Sequence, residues 1–253
     1  MKKIASVLLG LSILVSFHSV AQKGKEVVLG VGGAFTTVWI INQSFYGEPE
    51  VDYAPKTGYA ASLNLGYNFT ENISALAELQ YSLQGQKYDG DQKIGGTEYK
   101  ALRDIDLRYL NIPLFFKYAF GSGGTKFRFM AGPQVGILLE ANQDYTRDGE
   151  KVGPPVTNLD GDTFSPYAGD ITERFQKNDF SLVLDIGADI HLSDLFYINA
   201  GIRGNYGLTE INAAPYRIKN MDGEYSASNN LWGGIYFGIN YKLDVQSYSQ
   251  RSF

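Results

Sequence analysis

Eight segments with two-residue alternation, joined by links that run alternately long and short, predict an all-β fold, an eight-stranded antiparallel up-and-down barrel. A second observation concerns the solvent of that barrel. Each alternating segment sets an apolar face against a polar one, yet only 19% of the 253 residues are charged. The chain also holds 29 glycines and 18 tyrosines, a composition that suits a sheet with one face turned away from water.

The first element is an address. Lys2 and Lys3 precede an apolar run from Ile4 to Phe17, and Ser19-Val20-Ala21 supplies small residues at the offsets of a cleavage site. This run of fourteen residues falls short of the roughly 20 that span a bilayer as a helix. Residues 1–21 are therefore expected to be a secretory signal peptide, and 22–253 the barrel domain. Its removal takes away two lysines and His18, so the net charge moves from -5 to -7 and His191 is the sole histidine.

The strands are expected at about 27–41, 57–70, 73–85, 103–120, 125–141, 179–192, 195–208 and 231–243. In the second, Tyr59, Ala61, Leu63, Leu65, Tyr67 and Phe69 alternate with Ala60, Ser62, Asn64, Gly66 and Asn68. The third sets Ile73, Ala75, Ala77, Leu79, Tyr81 and Leu83 against Ser74, Glu78, Gln80 and Ser82. In the fourth, the apolar set Ile105, Leu107, Tyr109 slips to Leu110, Ile112, Leu114, Phe116, Tyr118. A slip by one residue flips every side chain, which predicts a β-bulge near Arg108–Leu110. Pro113 and, in the fifth strand, Pro133 each remove a ladder donor. The sixth strand sets Phe180, Leu182, Leu184, Ile186 and Ile190 against Asp185, Asp189 and His191. The seventh sets Ile198, Ala200, Ile202 and Tyr206 against Asn199, Arg203 and Asn205, and the eighth runs from Leu231 to Leu243.

Thr70-Glu71-Asn72, Gly121-Ser122-Gly123-Gly124 and Ser193-Asp194 have the chemistry of tight turns. The other links, 42–56, 86–102, 142–178 and 209–230, are long and hold 16 acidic and 10 basic residues. Nearly all the net charge thus lies on one rim, and a ten-stranded barrel results if 142–178 adds a hairpin.

A soluble lipocalin-like barrel points its apolar face inward, and a membrane barrel points it at lipid. The polar face here carries charges of both signs that can pair across a narrow lumen. Glu78, Gln80, Arg108, Lys117, Arg128, Asp185, Asp189 and Arg203 are expected to form a structural polar network there. Aromatics near the strand ends (Tyr59, Phe69, Tyr81, Tyr118, Phe120, Phe127, Phe196, Tyr241) read as interfacial girdles. With the signal peptide, these observations favour a transmembrane barrel anchored by outer-membrane lipid.

Gly66-Tyr67-Asn68-Phe69, Tyr109-Leu110-Asn111-Ile112-Pro113-Leu114 with Lys117-Tyr118, Ala131-Gly132-Pro133 and Arg203-Gly204-Asn205-Tyr206-Gly207-Leu208 together resemble the outer-membrane β-barrel domain family of porin-family or PorT-like proteins. The resemblance covers essentially the whole mature chain and implies a small barrel of the OmpA/OmpX type. The family has little assigned biochemistry, so fold and location gain most from it. The tail after Asp244 departs from barrels that end at an aromatic of the last strand.

Much chemistry is excluded. With no cysteine there is no disulfide, thiolate metal site, cysteine nucleophile or lipidated cysteine. The acidic balance argues against nucleic acid. A rim enzyme acting on lipid needs a general base at the loop end, whereas His191 adjoins a short turn at the other end. Asp185 and Asp189 are read as lumen ion-pair partners of Arg203 or Arg128. Asp160-Gly161-Asp162 with Asp144, Asp148 and Asp170 invites calcium, but the spacing fails the EF-hand pattern. Gly30-Val31-Gly32-Gly33 lacks the dinucleotide spacing and reads as small residues on an inward face. Neither a plug-sized domain nor a TonB-box-like extension is recognisable. No catalytic residue, cofactor or metal is expected. What remains is a monomeric structural or interaction protein whose long loops, 142–178 above all, meet a surface or protein partner. The alternative is a narrow porin for small solutes.

Overall fold

The computed structural model describes residues 26–42, 52–94, 96–151, 156–157, 160–161, 163–164, 169–219 and 223–244. The expected signal peptide, the tail after Asp244, residues 43–51 and Asp162 lie outside the described residues. Twelve strands follow in order: β1 (Glu26–Ile41), β2 (Asp52–Ala54), β3 (Lys56–Asn68), β4 (Ile73–Ile94), β5 (Thr97–Phe120), β6 (Thr125–Arg147), β7 (Val156–Thr157), β8 (Thr163–Phe164), β9 (Gly169–Asp170), β10 (Asn178–His191), β11 (Phe196–Gly207) and β12 (Asn229–Asp244).

Eight of these close a ring in the order β1, β3, β4, β5, β6, β10, β11, β12, each neighbour antiparallel, with β12 returning to β1 from Glu26↔Asp244 to Ile41↔Asn229. β2 and β9 are short additions to β4 and β6, and β7 with β8 forms a separate two-stranded hairpin. The hairpin within 142–178 therefore stands outside the wall, and the barrel keeps eight strands.

The short connections form as their chemistry dictates. Thr70 Oγ1 accepts the Asn72 and Ile73 amides, and Ser193 Oγ accepts those of Leu195 and Phe196. Gly121 and Gly123 take φ of 127° and 78°, which a Cβ disfavours. Outward side chains make a continuous apolar belt, including Phe35, Leu63, Leu114, Phe116, Ile202 and Phe237. Tyr118, Phe120 and Phe127 form one aromatic run at the turn end, with Phe196 against Tyr241 at 4.9 Å further round. Tyr59 and Tyr81 pair near the loop end.

Two expectations are corrected here. Residues 86–102 are not a loop. β4 and β5 continue through them as a ladder up to Ile94↔Thr97. At about 3.3 Å per residue a 24-residue strand far exceeds the roughly 9–11 residues that cross a bilayer. The wall thus extends beyond the belt. The second correction concerns the slip in the fourth segment, because β5 alternates without interruption. Ile105, Leu107, Tyr109, Asn111, Pro113, Phe115 and Lys117 are all buried inward. The β5–β6 register does shift between Arg108 and Tyr109, but the extra residue is in β6, where Arg108 faces Glu140 and Tyr109 faces Leu138, leaving Leu139 over.

What changes along β5 is the solvent. Outward residues turn from Leu110, Ile112 and Leu114 to Arg108, Asp106 and Asp104, marking where lipid gives way to water. Inward residues turn from polar to apolar at the same level. Ile40, Tyr88, Ala101, Ile105, Leu107, Tyr109, Leu138 and Ala141 form a packed core with Ile171, Phe175, Ile211 and Ile218 from the loops. Above the belt the barrel is built like a water-soluble protein, with a mainly apolar interior that also takes in Arg103 and Arg174, and a charged exterior.

Candidate functional site in the lumen

Six charged side chains form one chain of contacts through the lumen. Lys117 of β5 pairs with Asp189 of β10. Arg128 of β6 reaches both Asp189, through Nη1 at 3.0 Å, and Asp185, through Nη2 at 2.9 Å. Arg203 of β11 donates to Asp185 through Nε at 2.9 Å, then to both Glu78 oxygens through Nη1 at 2.7 Å and Nη2 at 3.1 Å. β11 and β4 lie four strands apart either way round the ring, so the Arg203–Glu78 fork spans the full lumen.

Each of the six side chains is at most 7% exposed. Burying one charge is costly, and what makes these tolerable is that three cations meet three carboxylates through charge-assisted hydrogen bonds. Aromatic rings complete the cage. The Arg203 guanidinium stands 3.7 Å from the Tyr236 ring centroid and 4.8 Å from that of Phe115, and Lys117 Nζ stands 5.2 Å from Tyr197.

Neutral groups pack around them. Gln80 is buried and accepts from Asn111 Nδ2 at 3.4 Å, while the same amide donates to Ser82 at 2.8 Å. Tyr236 Oη accepts from Asn64 Nδ2 at 2.9 Å across β1. That crossing depends on Gly32, where a Cβ would lie 2.0 Å from the Tyr236 hydroxyl. The glycine-rich run of β1 thus clears the lumen for a side chain from the next strand.

Seven of the eight residues expected in the lumen network are there. The eighth, Arg108, is on the outer face at the upper edge of the belt, half exposed, paired with Glu140. The apparent slip placed it inward, whereas the unbroken alternation of β5 puts it out. Sequence reasoning did not foresee the apolar cap, because its residues come from four strand ends and two loops. The cap is tied down by backbone bonds, including Ile171 N to Ala141 O at 2.9 Å, Gln176 N to Ile211 O at 2.7 Å and Ala213 N to Arg174 O at 2.8 Å.

The other candidates are locally engaged. His191 ends β10 beside a short turn, its ring 5.4 Å from that of Tyr197. Asp148 accepts the Lys100 amide at 2.8 Å, Asp144 stands 3.7 Å from Lys151, and Asp170 accepts the Thr172 amide at 2.8 Å. Hydrogen bonds from the Thr172 hydroxyl and then its amide hold the Asp170 carboxyl below its ordinary pKa. Among the described residues no group of three or more His, Cys, Asp or Glu is placed to hold a metal.

A closed eight-stranded ring with an apolar belt, aromatic girdles and a polar interior defines a transmembrane β-barrel. The chain matches the outer membrane protein beta-barrel domain over residues 20–212 and belongs to that family, whose place is the outer membrane. No curated protein matches it in sequence. Solved structures similar to it include neisserial surface protein A (14% identity, 86% of this chain and 97% of that one, TM-score 0.46). OprG from Pseudomonas aeruginosa gives 13% identity, 88% and 98% coverage and a TM-score of 0.41. Ail, the attachment invasion locus protein of Yersinia pestis, in complex with the heparin analogue sucrose octasulfate, gives 13%, 88% and 100%, and 0.40.

Proposed function

We propose that this protein is a closed, monomeric outer-membrane platform without catalytic activity, which acts through contacts made by its external loops. The observation that carries this reading is the ion-paired chain from Lys117 to Glu78, with the apolar cap stacked above it. A solute would have to break buried charge pairs and then part a packed core. The narrow-porin alternative needs a continuous wet path, and this arrangement weighs against one. A rim enzyme acting on lipid is weaker still, since His191 stands at the turn end.

In planar bilayers the purified chain is expected to insert without discrete conductance steps. Regular unitary steps from the wild-type protein would reject the closed-lumen reading.

The loop between β6 and β10 is the one through which we propose a surface or protein partner is met. Its two ends have different duties. Ile171 and Phe175 belong to the cap, so removing all of 142–178 would strip the barrel's own core. Deleting 152–168 leaves both of those residues in place. That deletion is expected to abolish attachment of expressing cells to their partner surface while the barrel keeps its heat resistance in detergent. Undiminished attachment would place the contact on another loop.

A further inference from the structure

Between the ion-paired lumen and the apolar cap lies a carboxylate with no cation. Asp179, near the start of β10, is buried, and no lysine or arginine pairs with it among the described residues. Its hydrogen-bond partners are neutral: Thr209 Oγ1 donates at 2.9 Å and Asn230 Nδ2 at 3.0 Å. The six charges below balance one another and leave nothing positive for it. A buried carboxylate with neutral partners alone is not stable in its ionised form, so either a proton or a cation from outside the chain balances it.

Asn230 shows where that charge would sit. Its Nδ2 is 3.0 Å from Asp179 Oδ2 and 3.2 Å from Tyr109 Oη, while its Oδ1 is buried without a donor. Carboxamide oxygen and nitrogen are assigned from their surroundings, and a cation reverses the preferred orientation. With the amide turned over, the Asn230 oxygen takes the place of Nδ2, about 3 Å from an oxygen of β10 and one of β5, the spacing of neighbouring ligands around a hard cation with bonds of about 2.4 Å. One layer below, Gln134 Oε1 is another buried acceptor without a donor.

We propose that Asp179, Asn230 and Tyr109 form a binding site for a monovalent alkali cation, sodium or potassium, at the junction of lumen and cap. The single carboxylate sets the charge, since a divalent ion would leave one positive charge unbalanced. The all-oxygen donor set favours a hard ion over a transition metal. Bound there, the ion would tie three strands together beneath the cap.

The test uses the full mature chain folded in detergent. Its unfolding midpoint is measured at constant ionic strength as choline chloride, whose cation is too large for the site, is replaced by sodium or potassium chloride. The midpoint is expected to rise with the logarithm of the alkali concentration, and Asp179→Asn should flatten that rise. Should Asp179→Asn not fold, Tyr109→Phe removes one ligand and is expected to shift the rise to about tenfold higher salt. Infrared spectra supply a second readout, in which a protonated carboxyl band that Asp179→Asn removes is present in choline and lost in the alkali salt. Equal midpoints in all salts, or a carboxyl band that persists in sodium and potassium, would overturn the proposal by showing that a proton balances Asp179.

Discussion

Glu78→Ala is expected to lower the unfolding free energy by about 3–5 kcal/mol, because it leaves Arg203 in a dry lumen with too little negative charge. Glu78 takes both Nη groups of Arg203, and the other partner, Asp185, is already shared with Arg128. Removing one carboxylate leaves three cations facing two. Urea unfolding of the protein in lipid vesicles, followed by tryptophan fluorescence, measures the loss; of the two tryptophans, Trp232 is buried on the inward face of β12 and reports the lumen once Trp39 is replaced by Phe. Two controls separate an unpaired charge from a mere change of shape. Replacing both partners, Glu78→Leu with Arg203→Met, should recover much of the stability, since well-packed apolar pairs often match a buried ion pair. Glu140→Gln breaks the Arg108 pair, which is half exposed at the belt edge, and should leave the unfolding curve unchanged. A Glu78→Ala variant as stable as wild type would mean that water already reaches Arg203.

The contrast between those two pairs shows what the sequence could reveal and what it could not. Where lipid lies outside and polar groups inside, alternation identifies each strand and assigns each side chain to its face. Glu78, Asp185 and Arg203 were all legible on that basis. Closure of the eight-stranded ring and the tight turns at Thr70, Gly121 and Ser193 follow from the same reading. Above the belt, the same strands exchange lipid for water outside and polar groups for a packed core inside. Alternation by two persists, but its polarity inverts. One continuous strand therefore looks like two strands out of phase, and Arg108 was assigned to the wrong face. The ladder at 86–102 was hidden for a related reason. With water outside, residues such as Lys87, Asp89 and Asp91 look like loop composition although they pair in register with β5.

The inversion has a measurable consequence within one strand. Leu107 and Leu114 both belong to β5, yet Leu107 is fully buried in the cap while Leu114 is 53% exposed on the belt. Leu107 packs in the same core as Ile105, Tyr109, Leu138 and Phe175. Leu107→Ala is expected to cost about 2–5 kcal/mol, the transfer of the lost methyl groups plus the cavity left where neighbours cannot collapse. Leu114→Ala should cost clearly less, because lipid tails are as apolar as leucine and flow into the vacated space. The decisive comparison is with a polar replacement. Leu107→Asp places a lone carboxylate inside the cap and should prevent it from closing, exposing the loops that carry Ile171 and Ile211 to protease. The neighbouring outward change Asp106→Leu should cost far less, since Asp106 is at the water-facing surface and Asp104 still pairs with Lys56. Vesicle unfolding curves and limited proteolysis of intact cells would measure both. Equal, mild effects of Leu107→Ala and Leu114→Ala would show that the upper barrel is wet and open. A steep difference between them means that the barrel axis ends in a solvent-excluding core, which would support the closed barrel proposed above.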